Sequence, residues 1–211
     1  EGILVNVSQR AYDTEFLKWL LVAGNEQESA LITATFPAQF ESDLSDILKE
    51  AVLSAEWTEN QDVNAAEVVG FTIQETEVMK MAQAMGKNLV YTRGGEFPAK
   101  SVDDPLFVAG QSFSIVAIGD RSDYARARIR EAASIRDMQI EAENPVVIDG
   151  LEGIEILAKG QDERSGDAMM VYQVMLFPEE SYYLMIGIIS EYMSYKYLDE
   201  FKIMARSFRR Q

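Results

Sequence analysis

The order of apolar and polar positions along the chain changes period several times, and each change marks an element. Residues 3–7 are a short β-branched run and 16–23 a longer apolar one. In 30–36, Leu31, Thr33 and Thr35 alternate with Ile32, Ala34 and Phe36. Such runs predict three strands separated by the polar turns 9–15 and 24–29. The period then lengthens. Leu44, Ile47, Leu48, Ala51, Val52 and Ala55 recur at helical spacing, Ser42 or Asp43 can cap the first turn, and Asp46 lies near the positive end of the helix dipole. That helix is expected to end near Trp57, where the polar stretch 58–64 reads as a linker.

Beyond the linker, strands are predicted at 67–73, 88–92, 106–118 with a bend at Gly110, 138–148 with a break at Pro145, 152–159, 168–177 and 182–189. Helices are predicted at 75–85, 122–134 and 191–209. In the first, Val78, Met81, Ala82 and Met85 keep helical spacing up to a stop at Gly86; in the last, the inner face is Leu198, Phe201, Ala205 and Phe208. Residues 93–105, with Gly94, Gly95, Pro98 and Pro105, form the longest irregular stretch, and loops carried on a rigid frame are where binding residues concentrate.

The two ends of the chain read alike. Residues 3–57 and 154–208 both run strand, polar turn, strand, polar turn, strand, helix. The turn 9–15 falls opposite 161–167, Trp19 opposite Tyr172, and Glu28 and Ser29 opposite Glu180 and Ser181. Ile47, Val52, Leu53 and Trp57 fall opposite Leu198, Ile203, Met204 and Phe208, so the offset drifts from 153 to 151. Two readings stand: a true internal repeat, or a chance likeness between two common supersecondary pieces. A true repeat makes residues 1–60 half of a domain whose complete form is 66–211. Half a domain leaves an apolar sheet face to be covered, by the complete domain, by a second copy or by chain preceding Glu1.

Composition narrows the chemistry. The 211 residues include 35 acidic and 19 basic side chains, a net charge of −16, and neither Cys nor His. Thiolate and imidazole nucleophiles, a Ser-His-Asp triad and a Cys/His zinc site are therefore excluded. A pI of 4.4 argues against nucleic acid as a partner, because that binding rests on Lys and Arg neutralising phosphates. No apolar run is long enough to span a membrane as a helix. Asp162, Glu163 and Asp167 crowd one turn but lack the spacing of a calcium loop, and a solvated hairpin turn explains them. Gly94 and Gly95 do not make a phosphate loop, and the segment 110–114 is no nucleophile elbow. No catalytic, metal-binding or cofactor-binding residue is assigned, and no cofactor is expected.

What remains is surface. Residues 1–60 hold 11 acidic and 3 basic groups against 24 and 16 in 61–211, which is either solubility or a face for a basic partner. Arg121, Arg126, Arg128, Arg130 and Arg136 cluster against this background, with Arg126 and Arg130 on one helix face and Asp123 a turn earlier; the two readings are a helix surface balanced by nearby acids and a docking face. Tyr182, Tyr183, Tyr192, Tyr195 and Tyr197 gather late in the chain, and Tyr suits half-buried core and interface alike. The candidate interaction surface is Asp103, Asp104, Arg126, Arg130, Tyr192 and Tyr195.

Four segments stand out in the region from Gly70 to Arg209: 149–155 (DGLEGIE), 171–177 (VYQVMLF), 182–187 (YYLMIG) and 205–208 (ARSF). Through them the region resembles the Mog1/PsbP-like group. These match a Gly-bounded hairpin, a Tyr-containing strand, a strand ending near Gly and a last helix with Ser-Phe. The resemblance implies an α+β fold, a central antiparallel sheet flanked by helices in an α/β/α sandwich, to which residues 1–60 add a βββα unit. It also implies a mostly non-enzymatic role, since members include extrinsic photosystem subunits, a nuclear-transport cofactor that binds a small GTPase, and exported or secretion-associated bacterial proteins. The acidic stretch of the GTPase-binding members is missing, Asp103-Asp104-Pro105 being a faint echo, so no binding residue is carried over.

The expectation is a non-catalytic interaction or assembly module, with another protein or a second copy as partner and no nucleic acid or membrane span. A periplasmic or otherwise exported location fits the lack of cysteine, the cytoplasm being the alternative. A start at Glu1 fits a removed leader or a fragment. Other classes stand beside it: a cytoplasmic secretion chaperone holding an apolar client segment, a small-ligand carrier with a pocket between sheet and helix, and a carboxylate-based hydrolase.

Overall fold

The computed structural model describes residues 2–11, 14–24, 29–56, 69–112, 118–131, 134–179 and 181–211. The chain divides into two compact units, Glu1–Gln61 and Asp62–Gln211. The predicted linker at 58–64 and Trp57 lie outside the described residues.

In the first unit, β1 (Gly2–Ala11), β2 (Thr14–Gly24) and β3 (Ser29–Pro37) form an antiparallel sheet in that order. A single 3-10 turn, Ala38–Phe40, leads into α1 (Glu41–Leu53). The helix lies on β2 and β3. Trp19 fixes it there: its indole Nε1 donates to the Ser45 carbonyl (3.0 Å) and hydroxyl (3.2 Å), and the Lys49 ammonium sits 5.2 Å from the ring centroid. Phe36 and Val52 are this unit's buried hydrophobics among the described residues.

The second unit carries a seven-stranded antiparallel sheet. Its strands are β5 (Met79–Met85), β6 (Asn88–Arg93), β7 (Leu106–Gln111), β8 (Ile135–Ile148), β9 (Leu151–Asp162), β10 (Ala168–Leu176) and β11 (Tyr183–Ser190), in the order β5-β6-β7-β11-β10-β9-β8. A two-stranded ribbon pairs β4 (Phe71–Thr72) with β12 (Arg209–Arg210). The helices are α2 (Arg121–Arg130), capped by the Asp120 carboxylate at the Asp123 amide (2.8 Å), and α3 (Ser194–Arg206).

Side chains alternate across the sheet, so β10 serves two cores at once. Met170, Tyr172, Val174 and Leu176 join Phe107, Met185, Tyr197, Phe201 and Met204 beneath α3. Met169, Val171 and Met175 join Ile156, Ala158, Ala125 and Ile129 beneath α2. Between them Gln173 is fully buried and its amide donates to the Ala125 carbonyl (2.9 Å), tying the middle of the sheet to α2. The result is the α/β/α arrangement that the resemblance implies.

Several elements differ from the pattern reading. Residues 75–85 are not a helix: Met79–Met85 is the edge strand β5. Its register against β6 slips between Met81 and Gln83, so Ala82 is a bulge. A bulge stretches a spacing of two into three, which is what made Val78, Met81, Ala82 and Met85 look helical. Gly86, read as a helix stop, instead opens the two-residue turn between Met85 and Asn88 at φ 58°. Pro145 does not break β8, which runs from Ile135 to Ile148 along the sheet edge, where a missing N–H is tolerated. The strand expected at 67–73 is described only as Phe71–Thr72, and the one expected at 106–118 pairs from Leu106 to Gln111; residues 67–68 and 113–117 lie outside the described residues. The closing helix stops at Arg206, because Arg209 and Arg210 pair as a strand.

Candidate protein-docking site

The end of β11 and the start of the closing helix make one corner of the second unit. Ser190 ends β11, and its hydroxyl accepts from the Met193 amide (3.3 Å), capping the 3-10 turn Glu191–Met193 that precedes α3. The same hydroxyl donates to the Asp103 carboxylate, and the Ser190 amide donates to the Val102 carbonyl (3.0 Å). Two contacts, across 87 and 88 residues, thus fasten the irregular segment before β7 to the helix start. The β9–β10 turn adds Asp167, which lies beside Ala168, the first residue of β10.

Together Val102, Asp103, Asp167, Ala168, Ser190, Glu191 and Tyr192 line an open groove of about 600 Å³. Three of these seven are carboxylates. The Lys159 ammonium pairs with Glu191 at 2.8 Å and with Glu141 at 3.8 Å. Its hydrogen bond to Glu191 is the first cause that holds the lysine pKa above its ordinary value. Tyr192 and Tyr195 are each 78% exposed. A ring standing in water beside carboxylates suits a cation, which gains from the ring face and the acids at once.

Asp104 faces a different hollow. That cavity, about 260 Å³, is lined by Thr92, Arg93, Gly94, Glu96, Pro98, Ala99, Lys100 and Asp104. Its charges are spent on one another: Arg93 with Asp104 (3.2 Å) and Lys100 with Glu96 (2.6 Å). Asp104 also accepts from the Lys100 amide (3.1 Å).

The arginine cluster resolves into local pairs. Arg126 donates to Glu143 on β8 through Nε (2.6 Å) and Nη2 (3.0 Å) and to Asp123 through Nη1 (3.0 Å). Glu143 is the leading cause of its raised pKa. Arg121 pairs with Glu152 (2.9 Å) and Arg128 with Glu131. Arg130 is exposed. This is the surface balanced by neighbouring acids, and Arg126 acts as a tie between α2 and β8.

The structure therefore brings Asp103 and Tyr192 to one groove, with Tyr195 at the start of α3 just beyond it, and places Asp104, Arg126 and Arg130 elsewhere. Ser190, Glu191 and Lys159 were missed. A Ser-Glu pair closing an apolar strand is a capping signal that could have marked the first two. The Asp162 carboxylate is occupied by the Arg164 amide (3.0 Å) and the Ser165 amide (2.8 Å), as a hairpin turn requires. Among the described residues, no group of three or more acidic side chains is placed to hold a metal ion. Nor is any helix there long and apolar enough to cross a membrane.

No protein-family description matches the chain, and no curated protein matches it. Solved structures do. LpqN of Mycobacterium tuberculosis, described as involved in cell envelope biogenesis, aligns with a TM-score of 0.51 at 12% identity over 65% of this chain and 81% of its own. Cyanobacterial PsbP from Synechocystis aligns with a TM-score of 0.44 at 11% identity, over 67% of this chain and 82% of its own. The immunity protein TplEi of the Pseudomonas aeruginosa type VI secretion system aligns at 0.44 and 10% identity, over 98% of this chain and 72% of its own. The fold is an α+β sandwich around an antiparallel sheet, and LpqN is similar to it.

Proposed function

We propose that the chain is a non-catalytic protein-binding module whose second unit receives a basic segment of another protein in the groove at the start of α3. The observation that carries this reading is the meeting of Asp103, Asp167 and Glu191 with the exposed ring of Tyr192 in one open groove. The net charge of −16 would steer such a partner inward and make its association salt-sensitive. The carrier reading needs room between sheet and helix; in the second unit that space is packed with Phe107, Tyr172, Phe201 and Met204. The location that goes with this function is periplasmic or otherwise exported, and fractionation of the producing cell decides between that and the cytoplasm. The reading also takes Gly2–Leu53 as a partial copy of the second unit's fold.

A short peptide with two arginines spaced by glycines is a sufficient probe. Titrated into the full chain, it is expected to bind with resonance shifts centred on Asp103, Tyr192 and Tyr195. Tyr192→Ala should weaken it roughly threefold to tenfold, the size of a partly exposed cation–π contact. Asp167→Asn, which removes one of the groove's charges, should weaken it too, while Glu77→Gln, which removes an equal charge at another exposed position, should leave it unchanged. Equal losses in Asp167→Asn and Glu77→Gln would reduce the groove to a share of the general acidity and sink the reading.

A further inference from the structure

The partial copy can be followed bond by bond. A shift of 153 residues carries the β2–β3 register, from Phe16 opposite Pro37 to Ala23 opposite Ala30, onto the β10–β11 register, from Met169 opposite Ser190 to Leu176 opposite Tyr183. The same shift carries the 3-10 turn Ala38–Phe40 onto Glu191–Met193 and α1 onto α3, end for end. The sequence comparison let the helices drift to an offset of 151; in space they hold 153. Between β1 and β9 the offset is 151, with Ile3 opposite Val22 matching Ile154 opposite Met175, and the difference is taken up in the connecting turn.

In the second unit β11 has a further neighbour. Its residues from Tyr183 to Ile188 pair with β7 from Gln111 to Leu106. The matching residues of the first unit are Ala30 to Thr35, and β3 is an edge of its sheet among the described residues. The helix flank beside that edge is open in the same way. Tyr197, Phe201 and Met204 of α3 are fully buried, with the Phe107 ring of β7 stacked on Phe201 at 5.9 Å. Their counterparts on α1, Leu44 and Leu48, are only half-buried, and Ala51 is exposed.

The other sheet face tells the same story. Ile156, Ala158, Val171 and Met175 are buried beneath α2. The face of the first sheet in that position shows Ile3 67%, Val5 41%, Val22 46% and Leu31 65% exposed. It carries no carboxylate: its strand positions are Ile3, Val5, Val7 and Gln9, then Phe16, Lys18, Leu20 and Val22, then Leu31, Thr33 and Thr35. That is notable in a segment with 11 acids and 3 bases, because apolar surface kept clear of acids, with Lys18 as the one charge among these positions, is surface kept for contact. A groove of about 510 Å³ lies at one end, lined by Gly2, Ile3, Val22, Ala23, Gly24 and Ser29.

We propose that the first unit is completed by a strand and a helix that occupy the places of β7 and α2, and that these come from a segment of the full-length protein running into Gly2. The inference rests on the partial-copy reading. The direction follows from the second unit, where β7, α2 and β8 come before β9 in the chain and enter it through the Asp149–Gly150 turn. Since β1 stands where β9 stands, the covering elements reach it from its amino-terminal side. The incoming strand pairs antiparallel with Ala30–Thr35, setting apolar side chains on Leu44 and Leu48, while the helix closes over Val5 and Val22.

The test compares the chain beginning at residue 1 with the whole gene product, by hydrogen exchange at the β3 amides. The gene is expected to encode a preceding stretch comparable in length to 71–148, and its presence is expected to slow exchange across Ala30–Thr35 at least roughly tenfold. A leader alone before residue 1 would overturn the proposal and leave the partial copy, which rests on the registers within the chain, to be covered by other means. A folded upstream segment that leaves these amides as they were would refute the docking and spare the copy. Protection that appears without it and grows with protein concentration would assign the edge to a second copy of the chain, and overturn the proposal.

Discussion

At Gly187 the fold depends on the absence of a single methyl group. A Cβ there would lie 2.4 Å from a ring carbon of Phe201, a contact that forces the helix or the ring to move. The corresponding pair in the first unit is Ala34 and Leu48, a larger residue on the strand and a smaller one on the helix. Gly187→Ala is therefore expected to destabilise the second unit by about 1–3 kcal/mol, the usual penalty of overpacking. Phe201→Leu alone should cost a comparable amount through the cavity it leaves. Together they should cost clearly less than the sum of the single losses, because each substitution relieves the other. Denaturant midpoints followed by tyrosine circular dichroism check this, and additive losses would show that the ring and the strand do not compete for the space.

Among the elements, α3 is held by packing and by one polar knot. Glu155 of β9 accepts from the Tyr172 hydroxyl (2.6 Å) and from Arg206 at the last turn of α3 (2.9 Å), and Arg206 also donates to the Tyr172 oxygen (3.1 Å). Burial raises the Glu155 pKa, but the hydrogen bonds from Arg206 and Tyr172 outweigh it and hold the carboxyl below its ordinary value of 4.5. Burial, then the bond to Glu155, pushes the tyrosine hydroxyl well above its ordinary range. A carboxyl with a lowered folded pKa stabilises the protein above the unfolded value, and that contribution is lost as the pH falls through the folded one. Glu155→Gln should thus cost about 1 kcal/mol at neutral pH, allowing for solvent at the half-exposed Arg206. The gap between wild type and variant should close below the ordinary carboxylate range. Chemical denaturation across that range measures it, and a gap that does not change with pH would mean the knot works by shape alone.

The same scale shows what the sequence could reveal. The strands 152–159, 168–177 and 182–189 were legible because they sit inside the sheet, where long apolar runs have no other use. The edges were not. In β5 a bulge and a helix-favouring Met-Lys-Met-Ala-Gln-Ala-Met composition were overruled by pairing with β6, and in β8 a proline survived because, among the described residues, one side of the strand has no neighbour. The groove was half legible for a related reason. Exposed tyrosines and loop aspartates can be picked from the chain, but that Asp103 meets Ser190 and Asp104 turns to Arg93 depends on contacts between distant segments that periodicity does not encode.

Over the whole molecule, the two units differ in how much core they own. The second buries more than two dozen hydrophobic side chains, including interlocked rings such as Phe71, Tyr183 and Phe208 at 4.8–5.8 Å. The first has Phe36 and Val52 among its described residues, and a sheet that is apolar on an exposed face. Stability per unit follows buried area, so the first unit should unfold first and separately. The chain carries its own reporters for this. Both tryptophans, Trp19 and Trp57, fall in residues 1–61, while eight of the nine tyrosines, from Tyr91 to Tyr197, fall in 62–211. In a urea titration the tryptophan fluorescence transition is expected well before the tyrosine near-ultraviolet transition, with a slope about as small as a unit of that size exposes. Brief proteolysis at intermediate urea should remove the first 61 residues and leave a resistant fragment that retains the second transition. Coincident transitions would instead make the two units one cooperative body, and would mean that the apolar face of the first sheet has already found its cover within this chain.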